Sequence, residues 1–287
     1  MTTSKLMTSR REMFSRVLVA GSALSAMEMF AAEPPAKEGE PGELKLGVAS
    51  YSFREFGRKI AIQGTQKCGV HYINYKDVHL PLTSTPDEIK KAIAATEKAG
   101  LKIVGGGTIY FPNDDEKDIR AKFDYAKACG MPTMVCMPSV AVLPKLGKYV
   151  QEYDIKIAVH AHGPEDKNFQ RPQDALKILK DMDPRCGLCI DVGHTVRTGV
   201  DLVSTVAEAG PRLLDMHVKD LSSFTAKDSQ VPCGDGKIPF PALFTQLKKM
   251  GYQGYINLEY EIDDTDPLPN MIKSFAYMRG VIAGLKG

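Results

Sequence analysis

The chain has almost no net charge, no long hydrophobic run, no paired zinc-type cysteines and no glycine-rich phosphate loop, and each gap closes off a class of function. Of 287 residues, 37 are Lys or Arg and 35 are Asp or Glu. Setting aside residues 1–32 removes four bases and two acids, leaving 33 of each sign. A neutral domain gives no electrostatic basis for binding nucleic acid. The most apolar stretch, Val17 to Ala32, is only 16 residues long and is broken by Glu28. That is too short for a membrane span. The six Cys (68, 129, 136, 186, 189, 233) are scattered, and only Cys186 and Cys189 form a close pair. With no second pair to complete a zinc site and no helix start to activate a thiol, they read as small apolar core residues. No Gly-x-Gly-x-x-Gly follows the first strand candidate, and Gly105-Gly106-Gly107 lacks the phosphate-binding spacing, which argues against an open dinucleotide-binding sheet.

What is present begins with Ser9-Arg10-Arg11-Glu12-Met13-Phe14 ahead of the apolar run. A basic segment followed by a short apolar stretch reads as an export signal, and the arginine pair suggests the twin-arginine type, placing the mature protein in the periplasm. Residues 1–32 are therefore expected to be a signal. Residues 33–43, rich in Pro, Gly and Glu, are expected to be a linker. From residue 44 to 287 short apolar runs alternate with amphipathic segments. Strands are expected at 44–50, 71–76, 101–106, 132–137, 156–161, 187–191, 212–218 and 254–259, each rich in Val, Ile, Leu or Met as in strands buried on both faces. Helices are expected between them, most clearly at 86–99 and 114–129, which are stopped by Gly100 and Gly130. Eight strand–helix repeats without a reversal signal predict a single (β/α)8 TIM barrel, a fold that needs about 250 residues.

Four of the late strand candidates end in a side chain of metal-ligand type: His160, Asp191, His217 and Glu259. In such a barrel these ends converge on one face, where two His, one Asp and one Glu would make a divalent-metal site. In Asp191-Val192-Gly193-His194 the Asp can hold the ion while His194 leans over the same pocket, with Gly193 permitting a tight turn. The plainer reading is a helix-capping Asp beside a surface His. Glu261 shares a strand side with Glu259 and suits support or substrate binding. His162 lies two residues beyond His160 and falls to substrate for the same reason. Lys76 and His79 follow the second strand; a Lys in a barrel mouth beside a divalent cation is suited to proton transfer, with His79 joining it toward substrate. The alternative for Lys76 is a surface pair with Asp77. Gly234-Asp235-Gly236 lies in a loop after strand seven that is long enough to serve as a lid or clamp.

At these residues the chain resembles the xylose isomerase-like TIM-barrel superfamily, which includes sugar phosphate isomerases/epimerases, inosose dehydratases and abasic-site endonucleases. The resemblance spans roughly residues 44–285. It rests on Asp191-Val192-Gly193-His194, His217-Val218-Lys219-Asp220, Gly234-Asp235-Gly236 with Pro239-Phe240, and Gly254-Tyr255-Ile256-Asn257-Leu258-Glu259. It implies one divalent ion (Mn, Zn or Co) on Asp191, His217 and Glu259, with His160 standing where the family usually has Glu. The paired glutamates of two-base epimerisation are thus incomplete, unless Lys76 or His162 replaces the missing carboxylate. The resemblance implies an isomerase-like enzyme that works on a sugar or keto-sugar through a metal-stabilised enolate. Glu259 or Lys76 would move the proton, and His162, His194 and Lys219 would orient hydroxyls. Its rivals are a keto-glycoside or inosose-type lyase and a carbohydrate-binding barrel without catalysis. The expected partner is a small carbohydrate, not nucleic acid or a membrane, and a homo-oligomer is compatible with this reading.

Overall fold

The computed structural model describes residues 43–285. The readings of a signal at 1–32 and of a linker at 33–43 fall outside them, except for Glu43. Eight parallel strands close into a barrel: β1 (Lys45–Ala49), β2 (Tyr72–Tyr75), β3 (Lys102–Phe111), β4 (Thr133–Pro138), β5 (Lys156–His160), β6 (Cys186–Asp191), β7 (Leu213–Val218) and, last in the chain, β10 (Tyr255–Leu258), which pairs with both β7 and β1. Between β7 and β10 a short antiparallel hairpin is formed by β8 (Asp220–Leu221) and β9 (Gln230–Val231). The single-barrel expectation therefore holds. Among the described residues no helix is long and apolar enough to cross a membrane.

The crossover helices are α1 (Arg58–Lys67), α2 (Pro86–Lys98), α3 (Glu116–Ala128), α4 (Gly147–Tyr153), α5 (Pro172–Leu179), α6 (Val192–Arg197), α7 (Leu202–Ala209), α8 (Phe240–Lys249) and α9 (Leu268–Gly284). Local chemistry sets their ends. Thr85 and Glu88 form a capping box at the start of α2, and the Asp115 carboxylate accepts from the amides of Lys117 and Asp118 at the start of α3. Three departures from the sequence reading have local causes. Strand β3 runs five residues past the predicted end because Gly105–Gly107 continues the strand: a Cβ at Gly105 would lie 2.8 Å from the Thr133 carbonyl. The crossover between β4 and β5 is split into a 3-10 turn at Leu143–Leu146, opened by Pro144, and then α4, where the alternation of strands and helices predicts one helix. Helix α6, foreseen only in the alternative reading of Asp191 as a helix cap, starts directly at the end of β6 with Asp191 as its cap.

The loop after β7 is anchored at its base. The buried Asp220 carboxylate accepts from the amides of Leu221 (2.9 Å), Gly234 (2.9 Å), Gly236 (3.0 Å) and Ile238 (2.9 Å). A Cβ at Gly236 would lie 2.2 Å from Asp220 Oδ1, so the second glycine of the Gly-Asp-Gly motif is required by this close approach. The Gln230 side chain donates to the Glu259 carbonyl and accepts from the Glu261 amide, both at 2.8 Å. The segment thus grips the end of β10 and is not a free lid. The large exposed apolar side chains among the described residues belong to the first half of the barrel: Tyr51 after β1, Ile60 on α1, Val78 and Leu82 after β2, Tyr110 near the end of β3 and Val140 after β4.

Candidate metal centre at the barrel mouth

His160 and Asp191 close β5 and β6, His217 is the penultimate residue of β7, Glu259 follows β10, and all four are buried. Their donor atoms lie within 4.8 Å of one another. His160 Nε2 is 3.1 Å from His217 Nδ1 and 3.8 Å from Asp191 Oδ2; His217 Nδ1 is 3.4 Å from Glu259 Oε2. Asp191 divides its oxygens. Oδ1 accepts from the His194 amide at 2.8 Å and caps α6, whereas Oδ2 faces the cluster with an ion pair to Lys219 at 3.3 Å but no hydrogen bond. The helix-cap reading and the ligand reading of this residue are therefore both satisfied by one side chain. A buried carboxylate oxygen with no hydrogen bond is costly. A cation held by these four donors would satisfy it, so the donor set fits a divalent ion of the borderline class.

Two ammonium groups hold the carboxylates. Lys76 Nζ is 2.8 Å from Glu259 Oε1, a contact between β2 and β10 that crosses the barrel interior because β1 lies between them. Its pairing is therefore inward, not with Asp77. Lys219 Nζ is 3.3 Å from both Asp191 Oδ2 and Glu259 Oε2 and also pairs with Glu261. Burial pushes the Glu259 carboxyl up, but Lys76, His217 and Lys219 outweigh it and hold the group well below the usual carboxylate range. Asp191 is likewise held low against its burial, chiefly by Lys219 and His194. Glu261 gives Lys219 a second anchor should a cation take its place beside Asp191 and Glu259.

Four of the six histidines converge here. The ring centroids of His160 and His162 are 4.3 Å apart, those of His162 and His194 5.1 Å, and those of His160 and His217 4.9 Å. Burial holds His160 well below its ordinary value, and His217 below it. His162, through burial and then the neighbouring His194, is lowered to about 4. His162 and His194 are partly exposed and the four ligand candidates are not, so the cluster opens to solvent on the His162–His194 side. His79 is placed elsewhere. Its Nδ1 meets Ser50 Oγ at 2.9 Å and its Nε2 meets the carbonyls of Phe53 (3.2 Å) and Phe56 (2.9 Å), so it ties down the turn after β1 and faces no ligand. Gly193 has a different purpose from the tight turn expected. A Cβ there would lie 2.8 Å from Lys219 Cγ and Cδ, so the glycine makes room for the lysine stem.

One layer below the ligands lies a polar set that sequence reading missed. Asp215, also at an inward position of β7, accepts from Asn74 Nδ2 at 3.1 Å and Asn257 Nδ2 at 2.8 Å. Burial pushes its carboxyl up to about 8. TIM-barrel interiors are normally filled with branched apolar residues, so an Asp between two Asn directly beneath a ligand layer is a departure. The only signal for it was a polar interruption in each apolar run, at Asn74, Asp215 and Asn257.

The sequence model of the family described as "Xylose isomerase-like TIM barrel" matches residues 62–281. An inosose dehydratase of Mesomycoplasma hyopneumoniae (strain 7448) is 30% identical over 161 residues, covering 49% of this chain and 53% of the relative. The chain thus aligns with about half the length of such curated relatives. Among solved structures, the IOLI protein with a zinc atom superimposes with a TM-score of 0.70 at 19% identity, covering 84% of this chain and 99% of that one. The 3-keto-D-glucoside 4-epimerase YcjR from E. coli gives 0.68 at 17% identity, covering 83% and 100%. At these identities the two structures establish a shared fold.

Proposed function

Because the chain belongs to the xylose isomerase-like TIM-barrel family, we propose that it is a divalent-metal-dependent enzyme that removes a proton next to the carbonyl of a small, unphosphorylated carbohydrate-type substrate, with isomerisation as the outcome. The observation that carries the reading is the buried convergence of His160, Asp191, His217 and Glu259 at the mouth. His160, His217, Asp191 Oδ2 and Glu259 Oε2 would hold the ion, and Mn, Zn and Co all suit such donors. When bound, the ion would polarise a substrate oxygen and acidify the neighbouring C–H.

The remaining work falls to this chain's own side chains. Glu259, held well below the usual carboxylate range and already paired to Lys76 through Oε1, is a weaker base than His162 and serves to ligate and to position Lys76. His162 is neutral above about pH 4 and lies on the open side of the cluster, so its ring nitrogen is suited to accept the substrate proton. The Lys76 ammonium can return a proton, and Lys219 and Glu261, partnered to each other, can orient hydroxyl groups. His160 in place of a second carboxylate leaves the centre without paired glutamates, which disfavours two-base epimerisation.

A second reading, elimination of water or another β-leaving group, is supported by the inosose dehydratases among the relatives. Both outcomes share the proton abstraction and differ in product mass. The test incubates candidate keto-sugars in deuterated water. Solvent deuterium entering a product of unchanged skeleton indicates isomerisation, whereas loss of water or an aglycone indicates a lyase. Chelation should abolish either, and metal analysis should find about one ion per chain, lost in His217→Ala. Full occupancy in that variant would exclude this ligand set.

A further inference from the structure

Cys189 lies on β6 one layer below Asp191, and the strand register sets it opposite His160 on β5. Its Sγ, a nitrogen of His160 and a nitrogen of His217 lie within 4.8 Å of one another, and all three residues are buried. They form a second cluster of potential ligands, sharing both imidazoles with the first and replacing the two carboxylates with one sulfur. Both imidazoles keep donor capacity to spare: the nitrogens outside their mutual 3.1 Å contact, His160 Nδ1 and His217 Nε2, are fully buried without hydrogen-bond partners. The thiol's hydrogen-bond acceptor is Asp215 Oδ2, at the long distance of 4.0 Å, and Val135 and Ala158 supply an apolar side. Imidazole nitrogens on one tetrahedral zinc stand about 3.3 Å apart, and a nitrogen and a sulfur about 3.5 Å. The facing His160 and His217 nitrogens are already 3.1 Å apart.

We propose that the barrel holds two overlapping cation stations: an upper one of His160, Asp191, His217 and Glu259, and a lower one in which Cys189 joins His160 and His217 to take a thiophilic divalent ion. The inference rests on the reading that the two histidines bind metal, and adds to it a softer alternative set one layer deeper. Manganese and magnesium favour carboxylate oxygen and take the upper station; zinc and cadmium favour sulfur with imidazole and reach the lower one. The step balances simply. The S–H bond breaks, a metal–sulfur bond forms, and one proton per ion is released to solvent. The substitution of His160 for a carboxylate is what makes this arrangement available, since a carboxylate there would leave only one imidazole beside the sulfur.

Cadmium and manganese binding to the full chain after metal stripping tests this, with the near-ultraviolet sulfur-to-cadmium absorption band as readout. The wild type should show the band saturating at about one cadmium per chain. Cys189→Ser should abolish it and reduce the preference for cadmium over manganese by at least about tenfold, with manganese affinity unchanged. Cys189→Ala serves as the second variant should the serine perturb folding. The other five cysteines are buried outside this cluster, so a band that survives in Cys189→Ser overturns the proposal. Stoichiometric cadmium binding without a band in the wild type also overturns it and leaves the upper centre intact. Failure of both ions to bind would remove the metal reading together with this one.

Discussion

At the scale of single residues, the mouth is set by contacts that leave no slack. Gly193→Ala would drive a methyl group into the Lys219 stem, 2.8 Å from Cγ and Cδ. The ammonium would then lose its position between Asp191, Glu259 and Glu261. We expect a destabilisation of about 1–3 kcal/mol and a fall in turnover of at least about tenfold, measured by denaturant melts and steady-state rates; wild-type values for both would refute the packing argument. The histidines give a pH dependence whose sign is fixed. His162 takes up its proton at about pH 4 when folded but near 6.5 when unfolded. Between those values the unfolded chain binds a proton that the folded chain refuses, so stability is present above about 6.5 and is lost as pH falls toward 4. His160 and His217, also lowered, act in the same direction. One such group corresponds to on the order of 3 kcal/mol. Urea melts of metal-free protein at pH 7 and pH 4.5 should show the loss, and His162→Gln should reduce it. The ligand candidates were legible because each ends an apolar run with a polar side chain. Asp215, Asn74 and Asn257 were not, because a polar residue within a run carries no sign of whether it points into the barrel or out of it. The fate of His79 was hidden for another reason: its partners are mainly backbone carbonyls, which leave no trace in side-chain identity.

At the scale of elements, the site depends on how the end of β10 is held. Gln230 grips the backbone of Glu259 and Glu261 from the β8–β9 hairpin. On the other side Ser52 Oγ lies 3.2 Å from the Leu258 carbonyl and accepts from the Tyr260 amide at 2.8 Å. Gln230→Ala should therefore weaken metal binding by about 10–100-fold, as the loss of outer support to a ligand typically does. Isothermal titration of the stripped protein would measure it; unchanged affinity would show that Ser52 alone suffices. Strand and helix order followed from periodicity, and the strand ends fell within a residue or two except at β3. There the expected strand stopped within the triple glycine, although glycine was needed for close passage of neighbouring chain. Helix α6 escaped because it is six residues long and shares its cap with a strand end, leaving no turn between the two elements to be read.

At the scale of the whole molecule, β1 and β10 close the barrel through register pairs from Lys45 to Val48. All eight barrel strands therefore come from Lys45–Leu258. A chain beginning after residue 32 should melt cooperatively at the full-length temperature and stay in the aqueous fraction; persistent membrane association would contradict the cleavable-signal reading. The distribution of work around the ring has a further consequence. The four ligand candidates belong to β5, β6, β7 and β10, whereas of the exposed apolar side chains Tyr51 and Ile60 follow β1, Val78 and Leu82 follow β2, Tyr110 lies near the end of β3 and Val140 follows β4. Apart from Lys76, the ligand candidates and the exposed apolar side chains occupy opposite halves of the barrel. Such a barrel can be retargeted by grafting: the loops of the first half can be exchanged to accept differently shaped molecules while the reactive half is inherited unchanged.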